Sequence, residues 1–145
     1  MTRLATASVT SSASAEAFFA RWGDMATWPE WNLDTEWVRL DGPFVQGATG
    51  VLKPKGGPKV RFVVETLTDT DFIDVSLLRG ARLTFAHHIE ATDSGSRVRV
   101  AVSLDGPLAK LWTLVLGKGL KASLQRDLDL LVQTVEADVA RTASA

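Results

Sequence analysis

The chain has 145 residues, 46% of them hydrophobic, and its 16 Lys+Arg against 17 Asp+Glu give a formal net charge of −1. This length predicts one domain with one core. The balanced charge argues against a nucleic-acid or membrane-surface binder, which relies on a basic excess. The chain contains no cysteine and no tyrosine, which excludes disulfides, thiolate chemistry and phenolic acid catalysis, yet it contains five tryptophans.

Targeting and anchoring segments are not indicated by the sequence. No apolar run approaches the ~18 residues of a transmembrane helix. Residues 1–15 are rich in Ser, Thr and Ala but lack the apolar core that a signal peptide needs. We therefore expect a cytoplasmic protein without membrane insertion.

The N-terminal part of the chain predicts a strand followed by two short helices. Residues 3–10 are compatible with a strand, and 15–22 consist of good helix formers that Ser12 or Ser14 can cap. Phe18 lies four residues before Trp22, so the two side chains share one face of the helix. A second short helical turn follows.

The middle of the chain predicts a run of strands separated by turns rich in Gly, Pro, Asp and Ser. The extended segments are residues 35–40, 47–54, 59–68, 72–79, 82–91 and 97–104. The third and fourth segments can bury either face. The face with Phe62 is preferred in the third. In the fourth, the more apolar face with Ile73 and Leu77 is expected to point inward, which would leave Asp74 and Ser76 outside.

A long amphipathic helix is predicted to begin at Pro107, because apolar residues recur at spacings of three and four as far as Val139. Residues 141–145 are expected to form a short frayed tail. Gly117 and Gly119 interrupt this pattern and suggest a bend or a close approach of another element. The order strand, two short helices, six strands and one long helix predicts an α+β fold. In it, an antiparallel sheet curves around one helix and leaves a cavity between them.

Four segments of the chain resemble the START-like helix-grip superfamily, and within it the bacterial polyketide cyclase/dehydrase-type small proteins. They are Trp-Gly-Asp-Met-Ala-Thr-Trp-Pro-Glu-Trp-Asn at 22–32, Leu-Thr-Phe-Ala-His-His-Ile at 83–89, the hairpin 93–98 and Gly-Pro-Leu at 106–108. The resemblance implies a single domain over 1–145: a curved antiparallel sheet of about seven strands around a long C-terminal helix, with two short helices after strand 1. Some relatives dimerise through the sheet, so a homodimer is compatible with it.

The candidate site residues are aromatic and basic side chains that alternation directs toward the cavity. Trp31 and Trp37 either line the pocket or fill the core. Arg39 shares the face of Trp37 and either binds a carboxylate or phenolate or lies in solvent. His87 points inward on its strand and is either a candidate general acid/base or a core histidine with a satisfied partner. The predicted ligand contacts are Trp31, Trp37, Arg39, Phe62, Phe85, His87, Trp112 and Leu116.

Metal and cofactor sites are not indicated. His87 and His88 are adjacent on a strand and point to opposite faces, so they cannot share one metal ion. The sequence has no HExxH, GxGxxG or P-loop motif. We therefore expect no metal, no cofactor and no nucleic-acid partner.

The function that these features favour is binding of a small hydrophobic ligand, lipid-like, polyketide or aromatic, in the cavity between sheet and helix. The alternative, which the resemblance implies, is a polyketide cyclase/aromatase or dehydratase acting on a poly-keto substrate there. The residues leave open whether the protein is an enzyme, since fold does not fix function.

Overall fold

The computed structural model describes residues 1–144 as seven strands and two α-helices. The elements are β1 (Thr2–Ser11), α1 (Ala15–Gly23), a 3₁₀ helix (Met25–Glu30), β2 (Thr35–Leu40), β3 (Thr49–Pro54), β4 (Val60–Leu67), β5 (Asp71–Leu78), β6 (Ala81–Thr92), β7 (Gly95–Asp105) and α2 (Ala109–Ser144). The strands form one antiparallel sheet in the order β1-β7-β6-β5-β4-β3-β2. This architecture confirms the predicted helix-grip fold.

The pairing register defines an inner face of the sheet, which is turned toward the helices. One row of cross-strand partners on this face consists of Leu40, Gly50, Phe62, Ser76, Leu83 and Leu104. The adjacent row on the outer face consists of Arg39, Val51, Arg61, Leu77, Arg82 and Asp105. The inner row is buried or half-buried, whereas the outer row carries three exposed arginines.

For β4, the residues expected to point inward do so, since Phe62 lies on the inner face. For β5, the face that was expected to point inward is the wrong one. Asp74 and Ser76 point inward, and Val75 is on the outer face. The physical reason is that β5 lies in the centre of the sheet and is apolar on both faces. Phe72 and Val75 are both fully buried, although they point in opposite directions. Alternation of hydrophobicity therefore cannot identify the inner face of this strand.

Helix α2 packs mainly along β1 and is anchored near both of its ends. At its start, the Leu108 N–H donates to the carbonyl of Gly80 in the β5–β6 turn, over 2.9 Å. Toward its end, the guanidinium of Arg21 on α1 donates to both carboxylate oxygens of Asp138, over 2.6 and 2.9 Å. These contacts fix the helix across one side of the sheet.

The glycines of α2 do not mark a close approach of another element, which was one of the two alternatives that the sequence left open. The helix is continuous through both positions. A Cβ atom at Gly119 would have no neighbour within 4 Å, and one at Gly117 would meet only Thr113 Cγ2, at 3.8 Å. The close approach in this fold is at Gly50, where a Cβ would lie 2.4 Å from both the Arg39 carbonyl oxygen and the Phe62 ring.

We expect alanine to have opposite effects at two of these glycines. Gly119→Ala should raise the free energy of unfolding by about 1 kcal/mol, because alanine favours a helix and space is available. Gly50→Ala should lower it by about 1–3 kcal/mol, because the new methyl group overlaps both the Phe62 ring and the Arg39 carbonyl oxygen of the neighbouring strand. Urea unfolding followed by tryptophan fluorescence measures both changes. Destabilisation by Gly119→Ala would contradict the helix packing described here.

Candidate functional site

An apolar groove lies between the inner face of the sheet and the first half of α2. We call it the inner groove. Its walls are apolar side chains that point inward yet remain only half-buried, so they border open space. These residues are Leu40, Leu52, Leu78 and Phe85 on the sheet and Trp112, Leu116, Leu120 and Leu124 on the helix. Helix α2 makes most of its strand contacts with β1 and few with β6 and β7, so it leaves part of the inner face uncovered.

One end of the inner groove is closed by a cluster of rings, which we call the aromatic plug. It consists of Phe18, Trp22, Trp28, Trp31, Phe44 and Phe72. The helix face that Phe18 and Trp22 were predicted to share is fully buried here. Trp28 Nε1–H donates to the Trp22 carbonyl over 3.1 Å, which ties the 3₁₀ helix to α1.

His87 lies at the boundary between the aromatic plug and the inner groove. Its ring stacks on Phe72 with centroids 4.8 Å apart and contacts Trp22 at 5.2 Å. Its Nδ1 lies 2.9 Å from the Phe72 carbonyl oxygen, which is an acceptor, so Nδ1 carries the proton. Burial lowers the pKa of His87 to about 4, although the Phe72 hydrogen bond opposes this shift. The imidazole is therefore neutral at pH 7, with its lone pair on Nε2.

Asp74 and Ser76 add a polar strip to the base of the inner groove. Their exposed fractions are 6% and 9%, and neither side chain forms a hydrogen bond with any residue of the described chain. Desolvation raises the pKa of Asp74 to about 8, so the carboxyl group is largely protonated at neutral pH. Asp74 is paired with Phe85 and is therefore a diagonal neighbour of His87, a relationship that places Cα atoms about 7–8 Å apart.

The groove can therefore offer a ligand both a donor and acceptors. A protonated carboxyl at Asp74 donates one hydrogen bond and accepts others, the Ser76 hydroxyl does both, and His87 Nε2 accepts. The oxygens of Asp74 are not sealed from solvent. The completely enclosed polar side-chain atoms without a partner, over the residues described, are the indole nitrogens of Trp22 and Trp31.

The predicted site residues divide into three groups in the structure. Phe62, Phe85, His87, Trp112 and Leu116 point toward the interior between sheet and helix. Trp31 belongs to the aromatic plug, 5.4 Å from Trp28. Trp37 and Arg39 do not reach the groove, because β2 has the opposite phase: their partners Lys53 and Val51 lie on the outer face. Arg39 instead pairs with Asp41 in solvent.

Asp74 and Ser76 were not among the predicted site residues. The available signal was their spacing, since two polar side chains at positions i and i+2 share one face of a strand. That signal was outweighed by the larger apolar content of the other face. No group of three potential metal ligands comes together among residues 1–144. No helix in this range is long and apolar enough to cross a membrane.

Comparison with protein families agrees with this architecture. Residues 2–136 match the family model described as "Polyketide cyclase / dehydrase and lipid transport". The chain belongs to this family. The match confirms the resemblance inferred from the sequence. Among curated proteins, none matches the chain.

Solved structures with the same fold have low sequence identity to this chain. The solution structure of KanY is 18% identical, with a TM-score of 0.74, over 94% of this chain and 99% of KanY. MLL2253 from Mesorhizobium loti is 14% identical, with a TM-score of 0.72, over 91% and 96% of the two chains. StfQ, a di-domain ARO/CYC from the steffimycin biosynthetic pathway, is 14% identical, with a TM-score of 0.72, over 96% of this chain and 53% of StfQ. These similarities establish the fold.

Asp74 and His87 have opposite effects on how stability depends on pH. Folding retains a proton on Asp74 that the unfolded chain loses, so Asp74 lowers stability as the pH rises from about 4 to about 8. Folding keeps His87 neutral, so stability is lost as the pH falls from 6.5 to about 4. Between pH 4 and 6.5, the effects of the two residues on the free energy of unfolding offset each other. Above pH 6.5, only the decline caused by Asp74 remains.

Asp74→Asn should therefore remove the decline in stability between pH 6.5 and pH 8. Between pH 6.5 and pH 8, the free energy of unfolding of the natural chain should fall by about 2 kcal/mol relative to that of the variant. This figure follows because one pKa unit corresponds to about 1.4 kcal/mol. Urea unfolding at a series of pH values measures it. A decline of the same size in the variant would show that Asp74 is already ionised in the fold.

Proposed function

We propose that the protein binds a small hydrophobic molecule that carries a hydroxyl or carbonyl group, of the lipid-like, polyketide or aromatic class, in the inner groove. The observation that carries this proposal is the pair Asp74 and Ser76, two nearly buried polar side chains without partners inside an apolar groove. Because these side chains have no partner within the chain, they can exchange hydrogen bonds with a ligand that carries a hydroxyl or carbonyl group. The family to which the chain belongs also includes lipid transport in its description.

The apolar walls supply the affinity in this proposal, and the polar strip supplies orientation. Burial of apolar ligand surface contributes ~25 cal/mol per Å², so walls such as Phe85 and Leu116 account for most of the binding energy. A ketone oxygen accepts from the neutral Asp74 carboxyl, and a hydroxyl donates to Ser76 or to His87 Nε2. A fully apolar ligand leaves these groups unpaired and binds less tightly.

The alternative function is a cyclase/aromatase or dehydratase that acts on a poly-keto chain in the same groove. One observation favours it: desolvation moves the pKa of Asp74 to about 8 and that of His87 to about 4. Two groups whose pKa values are shifted in opposite directions are suited to act as general acid and general base. In this mechanism the Asp74 carboxyl protonates a ketone oxygen, and His87 Nε2 accepts a proton during enolisation or loss of water. StfQ, an ARO/CYC protein, shares the fold.

Ligand binding is tested with two variants that lie two residues apart on α2 and face opposite sides of the helix. Leu116→Gln places an amide in the groove wall and should weaken binding of N-phenyl-1-naphthylamine, a neutral hydrophobic probe, about tenfold or more. Leu114→Gln makes the same change on the exposed side of the helix, where Leu114 is 84% exposed, and should leave the affinity unchanged. Fluorescence titration measures both. Equal probe affinity in the two variants would show that the probe does not bind in the inner groove. Native mass spectrometry of the natural chain then tests for a co-purified ligand.

Catalysis is tested with Asp74→Asn and His87→Ala on a model poly-β-ketone substrate. Asp74→Asn keeps the shape of the side chain but cannot donate a carboxylic proton, so turnover should fall roughly 10²–10⁴-fold. Probe affinity should change little, which separates this result from a loss of binding. His87→Ala should lower turnover and retain probe affinity. Unchanged turnover in both variants would leave ligand binding as the function of the groove.

A further inference from the structure

The first half of α2 carries apolar side chains on its solvent side. Leu111, Leu114 and Val115 are 54%, 84% and 62% exposed. Their spacing places them on one face of the helix, and we call this face the outer ridge. Leu108, at the beginning of the helix, is 39% exposed and extends the apolar surface. Clustered exposed apolar side chains of this kind mark an interaction surface.

The charged residues of the first half of α2 are all basic. No acidic residue occurs in the sequence between Asp105 and Asp127, whereas Lys110, Lys118 and Lys121 all fall in this interval. Lys118 follows the ridge residues at the next helical spacing, so its ammonium group lies in line with them. The whole-chain charge of −1 therefore conceals a locally basic, apolar segment.

A cleft of about 270 Å³ lies beside the outer ridge, between the start of β1 and α2. Its lining is Arg3, Leu4, Thr113, Gly117, Lys118 and Lys121. Three cationic side chains therefore meet at one cleft. None of the three forms an ion pair with an acidic side chain in the described part of the chain. Their charges remain available to an external anion.

We propose that the outer ridge and this cleft dock the protein onto the surface of an anionic lipid bilayer. Leucine and valine side chains of the ridge enter the boundary between headgroups and acyl chains, and the flanking lysines extend to the phosphates. The cleft with Arg3 then receives an anionic headgroup. A second copy of the chain is a less suitable partner, because pairing two ridges brings the Lys118 charges of both copies together in a desolvated contact.

The docking surface is distinct from the inner groove but uses the same turns of α2. Leu116 and Trp112 face the groove, while Leu114 and Leu111 face outward. A docked protein therefore holds one wall of the groove next to the bilayer. The proposal does not rest on ligand binding in the groove, because exposure and charge alone support it.

Co-sedimentation of the full chain with vesicles tests the proposal. We expect binding to vesicles of phosphatidylcholine mixed with phosphatidylglycerol, much weaker binding to phosphatidylcholine alone, and a decrease as the salt concentration rises. Leu114→Glu should lower the affinity about tenfold or more, because it removes an inserted apolar side chain. Lys121→Gln should lower it about fivefold, as expected for one basic residue at an anionic surface.

Matched variants control for general effects of charge. Leu77→Glu changes a leucine that is 50% exposed on the outer face of the sheet, and Lys59→Gln changes a lysine in the β3–β4 turn. Both should bind mixed vesicles like the natural chain. Absence of binding to the mixed vesicles, or equal losses in the ridge and control variants, would overturn the proposal.

Two further measurements separate the alternatives. A dimer in sedimentation velocity that Leu114→Glu converts to a monomer would assign the ridge to a second copy and overturn membrane docking. Leu116→Gln should lower the affinity for the naphthylamine probe but should leave vesicle binding unchanged. That result would show that ligand binding in the inner groove and membrane docking by the outer ridge are separable. Either proposal could then fail without affecting the other.

Discussion

One helix cannot cover a seven-stranded sheet, and this mismatch in width governs the rest of the structure. Seven strands spaced ~4.8 Å apart span roughly 29 Å, whereas a helix with its side chains is ~10 Å across. Helix α2 follows β1 and covers only that side of the inner face. The remaining inner face must be covered by other side chains or stay open. Both solutions occur, at opposite ends of the sheet.

The aromatic plug is the first solution, and it explains why tryptophan is abundant near the beginning of the chain. Short helices bring few side chains to the sheet, so each side chain must be large. Trp22 and Phe18 are completely buried, and Trp28 reaches Phe72 at a centroid distance of 6.4 Å. The other end has no such helices and remains open as the inner groove. Polar groups such as Asp74 are tolerated there because the space beside them is accessible to water or to a ligand.

The sequence predicts most of this fold, because strand order, helix spacing and the resemblance all depend on local patterns. It also predicts that His87 points inward, since Phe85 and Ile89 share its face. Two strand phases were not predictable. Strand β5 has fully buried apolar residues on both faces, and β2 begins with an irregularity between Thr35 and Trp37. A shift of one residue reverses a whole face, so Trp37 was wrongly expected on the inner face and Asp74 was wrongly expected on the outer face.

The first half of α2 has two apolar faces, and together they explain why its sequence looks unusual for a surface helix. A helix that only covered a core would expose polar residues opposite Trp112 and Leu116. Here Leu114 and Val115 occupy that exposed side, and no acidic residue accompanies them. Such a pattern costs solubility unless the exposed face has a partner. In the same few turns, the helix therefore borders the inner groove on one side and carries the outer ridge on the other.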